Sequence, residues 1–176
     1  MRICIDAGHG GKDPGAVGVR LKESDVVLDL SKRVAELLFD HDVTQTRTSD
    51  TFLTLADRVG IASDCELFVS LHCNGFNDPQ ANGTETLYNA RSTKGKRYAM
   101  VIQDCLIDAT ERTNRGIKPR TDLYVLRHTL MPAVLVEVAF ITNPEEEYLL
   151  GLDGFLQAAA VGISKGIKEA IEWQES

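Results

Sequence analysis

The stretch Ala133-Val134-Leu135-Val136-Glu137-Val138 is apolar everywhere except at Glu137. Successive side chains of a strand point to opposite faces, so this run buries both of them, as an interior strand of a parallel sheet does. Working outward, Glu66–His72 (ELFVSLH) is a second buried strand, and Arg2–Asp6 is a short apolar strand that runs into a glycine-rich turn. Asp42–Arg47, Thr84–Tyr88 and Leu123–Arg127 are further candidate strands. Between them lie helical patterns. Glu23–Phe39 carries Val26, Val27, Leu30, Val34, Leu37 and Leu38 at helical spacing. Leu55–Asp64 follows Thr54 as N-cap, with Asp57 completing a capping box. Ser92 caps a helix to about Thr110, and Asn143-Pro144-Glu145-Glu146 is a capped helix start with an acidic first turn. A last helix, about Gly154 to Trp173, aligns Phe155, Ala159, Ile163, Ile167 and Ala170. Gly162 and Gly166 beside that stripe are expected to let it approach the sheet closely. Alternating strands and helices predict an α/β fold: a twisted, mostly parallel sheet flanked by helices on both faces. No linker, repeat or low-complexity tract interrupts it, so one domain over 1–176 is expected.

Composition narrows the function. The 176 residues are 43% hydrophobic and 26% charged, an ordinary globular balance. The 26 acidic and 19 basic side chains leave a net charge of −7, which disfavours nucleic acid and anionic lipid as partners. No run is long enough for a membrane span. The N-terminus reaches Asp6 without the apolar core of a signal peptide, so synthesis in the cytoplasm without a leader is expected. Cys4, Cys65, Cys73 and Cys105 form no CxxC pair and predict free thiols rather than a zinc ribbon or redox motif.

The chemistry gathers at one edge. Ligands of open α/β sheets bind beyond the carboxyl ends of the strands. His9 follows the first strand, His72 ends ELFVSLH, Glu137 lies near the end of AVLVEV, and Glu23 opens the first long helix on the same edge. Two imidazoles and a carboxylate suit a catalytic zinc with a fourth position left for water, whose pKa the metal would lower. A second carboxylate nearby could move that water's proton to a leaving amine. Each residue also has a plainer reading. Either histidine could be structural, Glu23 could favour the helix dipole, and Glu137 could be a buried salt-bridge partner, since an unpaired buried carboxylate is costly. The glycine-rich stretch Gly8–Gly15 fits neither nucleotide fingerprint: Asp13 breaks the Rossmann pattern, and no Gly-Lys-Ser/Thr follows. Its glycines are expected to let backbone and a bulky substrate come close to a metal at His9.

In series, Ile-Asp-Ala-Gly-His-Gly-Gly-Lys-Asp-Pro-Gly-Ala at 5–16, Glu23, Leu-Phe-Val-Ser-Leu-His-Cys-Asn at 67–74 and Met-Pro-Ala-Val-Leu-Val-Glu-Val-Ala-Phe-Ile-Thr-Asn at 131–143 resemble the zinc-dependent N-acetylmuramoyl-L-alanine amidases. The likeness is to the amidase-3 type of bacterial autolysins, sporulation enzymes and phage endolysins, and it covers nearly the whole chain. It implies a sheet of about six strands and one Zn2+ held by His9, Glu23 and His72, with Glu137 as the catalytic glutamate. The substrate it implies is peptidoglycan, cut between the lactyl group of N-acetylmuramic acid and L-alanine. The alternatives are a zinc peptidase or deacetylase acting on another amide, and a wall-binding module without turnover.

Cys73 stands where the family usually carries alanine. Strand alternation turns it away from His72, against both metal ligation and a Cys–His nucleophile pair. Ala139 replaces a common glycine. The short connection between Asn74 and Asn89 leaves no room for the helical insertion that covers the site in some relatives, so an open groove is expected. Asn74 and Glu85 are candidate substrate-binding residues; Asn74 could equally be a turn former, and Glu85 could orient a ligand instead. Arg58 is expected in a structural ion pair, and His128 and His41 at the surface. No wall-binding repeat follows the last helix, so a separate or missing wall-binding domain is expected. Action is expected at the cell wall, reached through lysis or as part of a longer exported parent.

Overall fold

The computed structural model describes residues 1–175, with side chains through residue 172. In chain order the elements are β1 (Arg2–Ala7), α1 (Glu23–Leu37), β2 (Asp42–Gln45), α2 (Leu55–Ile61), β3 (Leu67–Asn74), β4 (Thr84–Asn89), α3 (Thr93–Thr110), β5 (Asn114–Arg120), α4 (Tyr124–His128), β6 (Ala133–Phe140), α5 (Pro144–Leu150) and α6 (Asp153–Glu175). The six strands form one sheet in the order β2-β1-β3-β6-β4-β5. β2, β1, β3 and β6 are mutually parallel, β4 runs antiparallel to β6, and β5 is parallel to β4. The expected fold, a mostly parallel sheet with helices on both faces, is the one found.

The two faces are unequal, and the site follows from that. Ile3, Ile5, Leu67, Val69, Leu71, Val134 and Val136 point into the main core, under α1, α3 and α6. The alternate residues Cys4, Phe68, Leu87, Ala133 and Leu135 form a smaller core with Ala62, Val125 and Leu126. Its cover is only α2 and α4, of seven and five residues. Period-two alternation carries this second face onward to Asp6 on β1, Ser70 and His72 on β3, Glu137 on β6 and Glu85 on β4. Polar groups therefore emerge where the short helices stop.

The helix starts obey their capping signals. Thr54 and Asp57 make the reciprocal capping box of α2, Ser92 Oγ accepts from Gly95 N, and Asn143 Oδ1 accepts from the amides of Glu145 and Glu146. Two expectations are corrected and one strand is added. Leu123–Arg127 is not a strand: Tyr124–His128 is the short helix α4, because Leu123 and Leu126 fit helical spacing as well as an extended run does. Asn114–Arg120, polar and holding Gly116 and Pro119, is a strand that the pattern concealed; as an edge strand it tolerates both residues. Gly162 and Gly166 face α3 rather than the sheet. A Cβ on Gly166 would sit 2.6 Å from Ile102 Cα, and one on Gly162 2.8 Å from the Cys105 carbonyl. The connection between β3 and β4 contains no helix, as expected. Among the described residues no helix is long and apolar enough to cross a membrane.

Candidate metal centre

Glu23, His9 and His72 meet although three separate segments carry them. Glu23 lies in the first turn of α1, but it is turned inward and only 3% exposed, so it is not a solvent-facing dipole partner. Its Oε2 accepts from Ala16 N at 2.7 Å, and its Oε1 accepts from Cys73 N at 3.0 Å. The same Oε1 lies 3.1 Å from His9 Nε2 and 2.8 Å from His72 Nδ1. One ligand atom from each of the three residues lies within 4.8 Å of the others. This group can hold a metal ion. His9 and His72 are partly open to solvent, which leaves an approach from one side.

Backbone shape makes the convergence possible. His9 has a positive φ of 58°, rare for a residue with a side chain. Its Nδ1 is 2.9 Å from Asp13 Oδ2, which leaves Nε2 toward Glu23. Gly8 and Gly15 give room to the candidate ligands themselves. A Cβ on Gly8 would sit 2.4 Å from His72 Cε1, and one on Gly15 2.5 Å from Glu23 Oε2. The expectation that these glycines admit substrate is corrected at both positions, where protein side chains fill the space. Gly8→Ala is therefore expected to displace the His72 ring and weaken metal binding by at least about tenfold, the scale of lost ligand support. Competition with a chromophoric chelator reads this directly, and unchanged affinity would contradict it.

Charge within the centre is strongly coupled. Burial alone would lower the His9 pKa, but the Glu23 and Asp13 carboxylates outweigh it and hold the value at about 9. His72 is also raised: burial opposes its charge, while Glu23 and Glu137 favour it. Burial raises Glu23, yet the two imidazoles draw it well below the usual carboxylate range.

Glu137 stands beside this group without joining it. It pairs in register with His72 on one side and with Glu85 on the other. Its Oε2 is buried and, among the described residues, has no hydrogen-bond partner, so the salt-bridge reading fails at that atom. Burial, only partly offset by His72, pushes its pKa up to about 7. Asn74 and Glu85 bond to each other, Asn74 Nδ2 donating to Glu85 Oε1 at 3.0 Å, and Arg115 Nε donates to Glu85 Oε2 at 3.0 Å. A β-bulge between His72 and Asn74 shifts the register here. On the other side of the histidines a cleft of about 350 Å3 is bounded by Phe52, Leu55, Leu123 and Tyr124. Cys73 is 2% exposed in the main core, and burial pushes its thiol pKa well up, which suits an inert side chain.

Several contributors went unnoticed in the sequence. Arg58 does form the expected ion pair, with Asp6, but it also donates to the carbonyls of Ala7 and His9. Arg47, 5% exposed, donates to the carbonyls of Ala7, Gly8 and Ser24 and so ties the His9 loop to the start of α1. Glu146 accepts from Gly83 N and Phe140 N, and Glu147 accepts from Arg20 N and Leu21 N; both brace loops at this edge. Asp6 and Ser70 did leave a signal, as polar residues inside apolar strand runs. Arg47 left none.

A two-histidine, one-carboxylate group on the open edge of an α/β sheet, with a buried carboxylate beside it, is the equipment of a metal-assisted hydrolase. The chain belongs to the N-acetylmuramoyl-L-alanine amidase family, whose pattern it matches over residues 3–169. It is 40% identical over 182 residues to the endolysin of Bacillus phage SPP1, covering 96% of this chain and 65% of that protein. It is 34% identical over 222 residues to N-acetylmuramoyl-L-alanine amidase AmiA of Escherichia coli (strain K12), covering 97% and 76%. The fold matches the catalytic domain of CwlV, an N-acetylmuramoyl-L-alanine amidase from Bacillus (Paenibacillus) polymyxa var. colistinus. That match has a TM-score of 0.92 and 38% identity, over 97% of this chain and 98% of that one.

Proposed function

We propose that this amidase cleaves the amide between the lactyl group of N-acetylmuramic acid and L-alanine in peptidoglycan, with one zinc ion at His9, Glu23 and His72. The observation that carries the reading is the convergence of these three side chains beside the unpartnered buried oxygen of Glu137. The donor set fits zinc, which accepts nitrogen and carboxylate ligands and works in catalysis with three protein ligands. When bound, the ion would polarise the scissile carbonyl and acidify a water molecule.

Glu137 supplies the proton traffic. With a pKa near 7 it can take a proton from the attacking water at Oε2 and pass it to the leaving nitrogen. Water thus adds its oxygen to the lactyl carbonyl carbon, the C–N bond breaks, and a free L-alanine amino group leaves. The apolar cleft suits the lactyl methyl and sugar side, and the Asn74–Glu85–Arg115 cluster suits the peptide side. The whole chain acts as one catalytic domain on the cell wall, in lysis or wall remodelling, with wall binding supplied by the groove or by a separate domain.

Digestion of purified cell walls tests this. Turbidity should fall and new L-alanine amino termini should appear. Release of reducing sugars, a different freed peptide mass, or wall binding without turnover would each overturn the assignment.

A further inference from the structure

Behind the His72 ring a buried chain of hydrogen bonds runs across two strands. His72 Nε2 lies 3.1 Å from Ser70 Oγ, and Ser70 Oγ donates to Asp6 Oδ2 at 2.6 Å. Asp6 Oδ1 accepts from Thr46 Oγ1 at 2.7 Å and from Arg58 NH1 at 2.6 Å. Ser70 is fully buried, Asp6 is 1% exposed and Arg58 is 3% exposed. Strand geometry explains the alignment: Ser70 and His72 are two residues apart on one face of β3, and Asp6 pairs in register with Ser70 from β1.

The proton count along this chain is determinate. A serine hydroxyl carries one proton, and here it is committed to Asp6. Ser70 Oγ can then only accept from the imidazole, so the His72 ring proton sits on Nε2. Nδ1 lies 2.8 Å from the Glu23 carboxylate, which can only accept, so in the metal-free protein it also carries a proton; that proton is the one the ring gives up to an ion, because Nε2 keeps its own for Ser70. Arg58 extends the same support to the other histidine, because the guanidinium that holds Asp6 also accepts no proton in return and donates to the carbonyls of Ala7 and His9.

We propose that Ser70, Asp6 and Arg58 are positioning residues that preset the metal centre, Ser70 and Asp6 fixing the His72 tautomer with Nδ1 free for the ion and Arg58 holding the His9 loop. The inference rests on the metal reading above and goes beyond the ligands to the groups that aim them. Outer partners of ligand histidines typically contribute about 10- to 100-fold to metal affinity.

Ser70→Ala removes the relay without burying a charge. Zinc affinity measured by chelator competition on the folded protein is expected to fall about 10- to 100-fold, a loss separate from the lower thermal midpoint expected when the buried Asp6 Oδ2 gives up its Ser70 hydrogen bond. A companion measurement needs no variant: in the zinc-loaded protein, nitrogen-15 imidazole spectra should place the His72 ring proton on Nε2 and the His9 ring proton on Nδ1. Affinity within twofold of the parent, or a His72 proton found on Nδ1, would overturn the relay and leave the metal site standing. Failure of the parent protein to bind zinc would instead overturn the metal reading, and the relay with it.

Discussion

Glu137→Gln is expected to keep zinc bound, to lower turnover on cell walls by about 10^2- to 10^4-fold, the usual contribution of a positioned acid–base group, and to stabilise the metal-free protein at pH 8. The first two effects follow from position: Glu137 neighbours His72 across the sheet but stands outside the group of converging ligand atoms. The third follows from the raised pKa. A carboxyl that titrates near 4.5 when unfolded and near 7 when folded is more willing to lose its proton in the unfolded chain. Between those values the unfolded state therefore binds fewer protons, and stability falls as pH rises. Glutamine keeps the shape and removes the charge, so the penalty disappears. A difference of about two and a half pKa units corresponds to roughly 3 kcal/mol, and on the order of 2 kcal/mol is expected once the buried amide's own cost is counted. Urea unfolding of metal-free parent and variant at pH 5 and pH 8 checks it. The gain should appear at pH 8 and shrink at pH 5. A variant no more stable at pH 8, or one that retains turnover, would remove Glu137 from the proposed role.

That trade between stability and chemistry bears on what could be read from the sequence. Glu137 was conspicuous because a carboxylate in an apolar strand is expensive, and the same expense raises its pKa. His9 and His72 were legible as residues at strand ends on one sheet edge. Glu23 was less so. Its placement depends on the loop from Pro14 to Lys22 folding back, with Ser24 N donating to the Pro14 carbonyl and Glu23 N to the Ala16 carbonyl; no spacing rule encodes that return. The fold was legible where patterns were strong: the buried β3 and β6, and the caps of α2, α3 and α5. It was illegible at β5, whose polar sequence is stabilised as a strand by pairing with β4. It was misread at α4, five residues long, where local preference is too short to separate helix from strand. The support behind the ligands was hidden for another reason. Ser70, Asp6 and Arg58 come from three elements, and only tertiary structure brings an arginine on α2 against β1.

Removing zinc is expected to abolish turnover, and restoring it should release protons. In the metal-free protein His9 titrates at about 9 and His72 is raised as well. At pH 7 His9 thus carries a proton that its nitrogen must surrender before it can bind an ion. Zinc binding at pH 7 should release at least about one proton, and apparent affinity should rise about tenfold per pH unit per proton until the pH passes the His9 value. Stability follows the same groups. Raised His9 stabilises the metal-free fold fully below its unfolded value of 6.5 and loses that contribution as pH rises through about 9, and raised His72 acts in the same direction. Glu23, lowered by the same partners, contributes above 4.5 and loses that contribution as pH falls toward its folded value. Glu137 adds its penalty between 4.5 and 7, so these groups together make the metal-free protein most stable at about pH 4.5, where the Glu23 gain is nearly complete and the Glu137 penalty is only beginning. Above that pH zinc takes over: an ion at 1,000 times its dissociation constant contributes about 4 kcal/mol. The rise in melting temperature on adding zinc should therefore grow from pH 6 to pH 8. Titration calorimetry in buffers of different ionisation enthalpy counts the protons, and scanning fluorimetry follows the midpoint. Zinc that binds without releasing protons, or a midpoint indifferent to zinc at pH 8, would show that the imidazoles and Glu23 are partners to each other rather than to a metal.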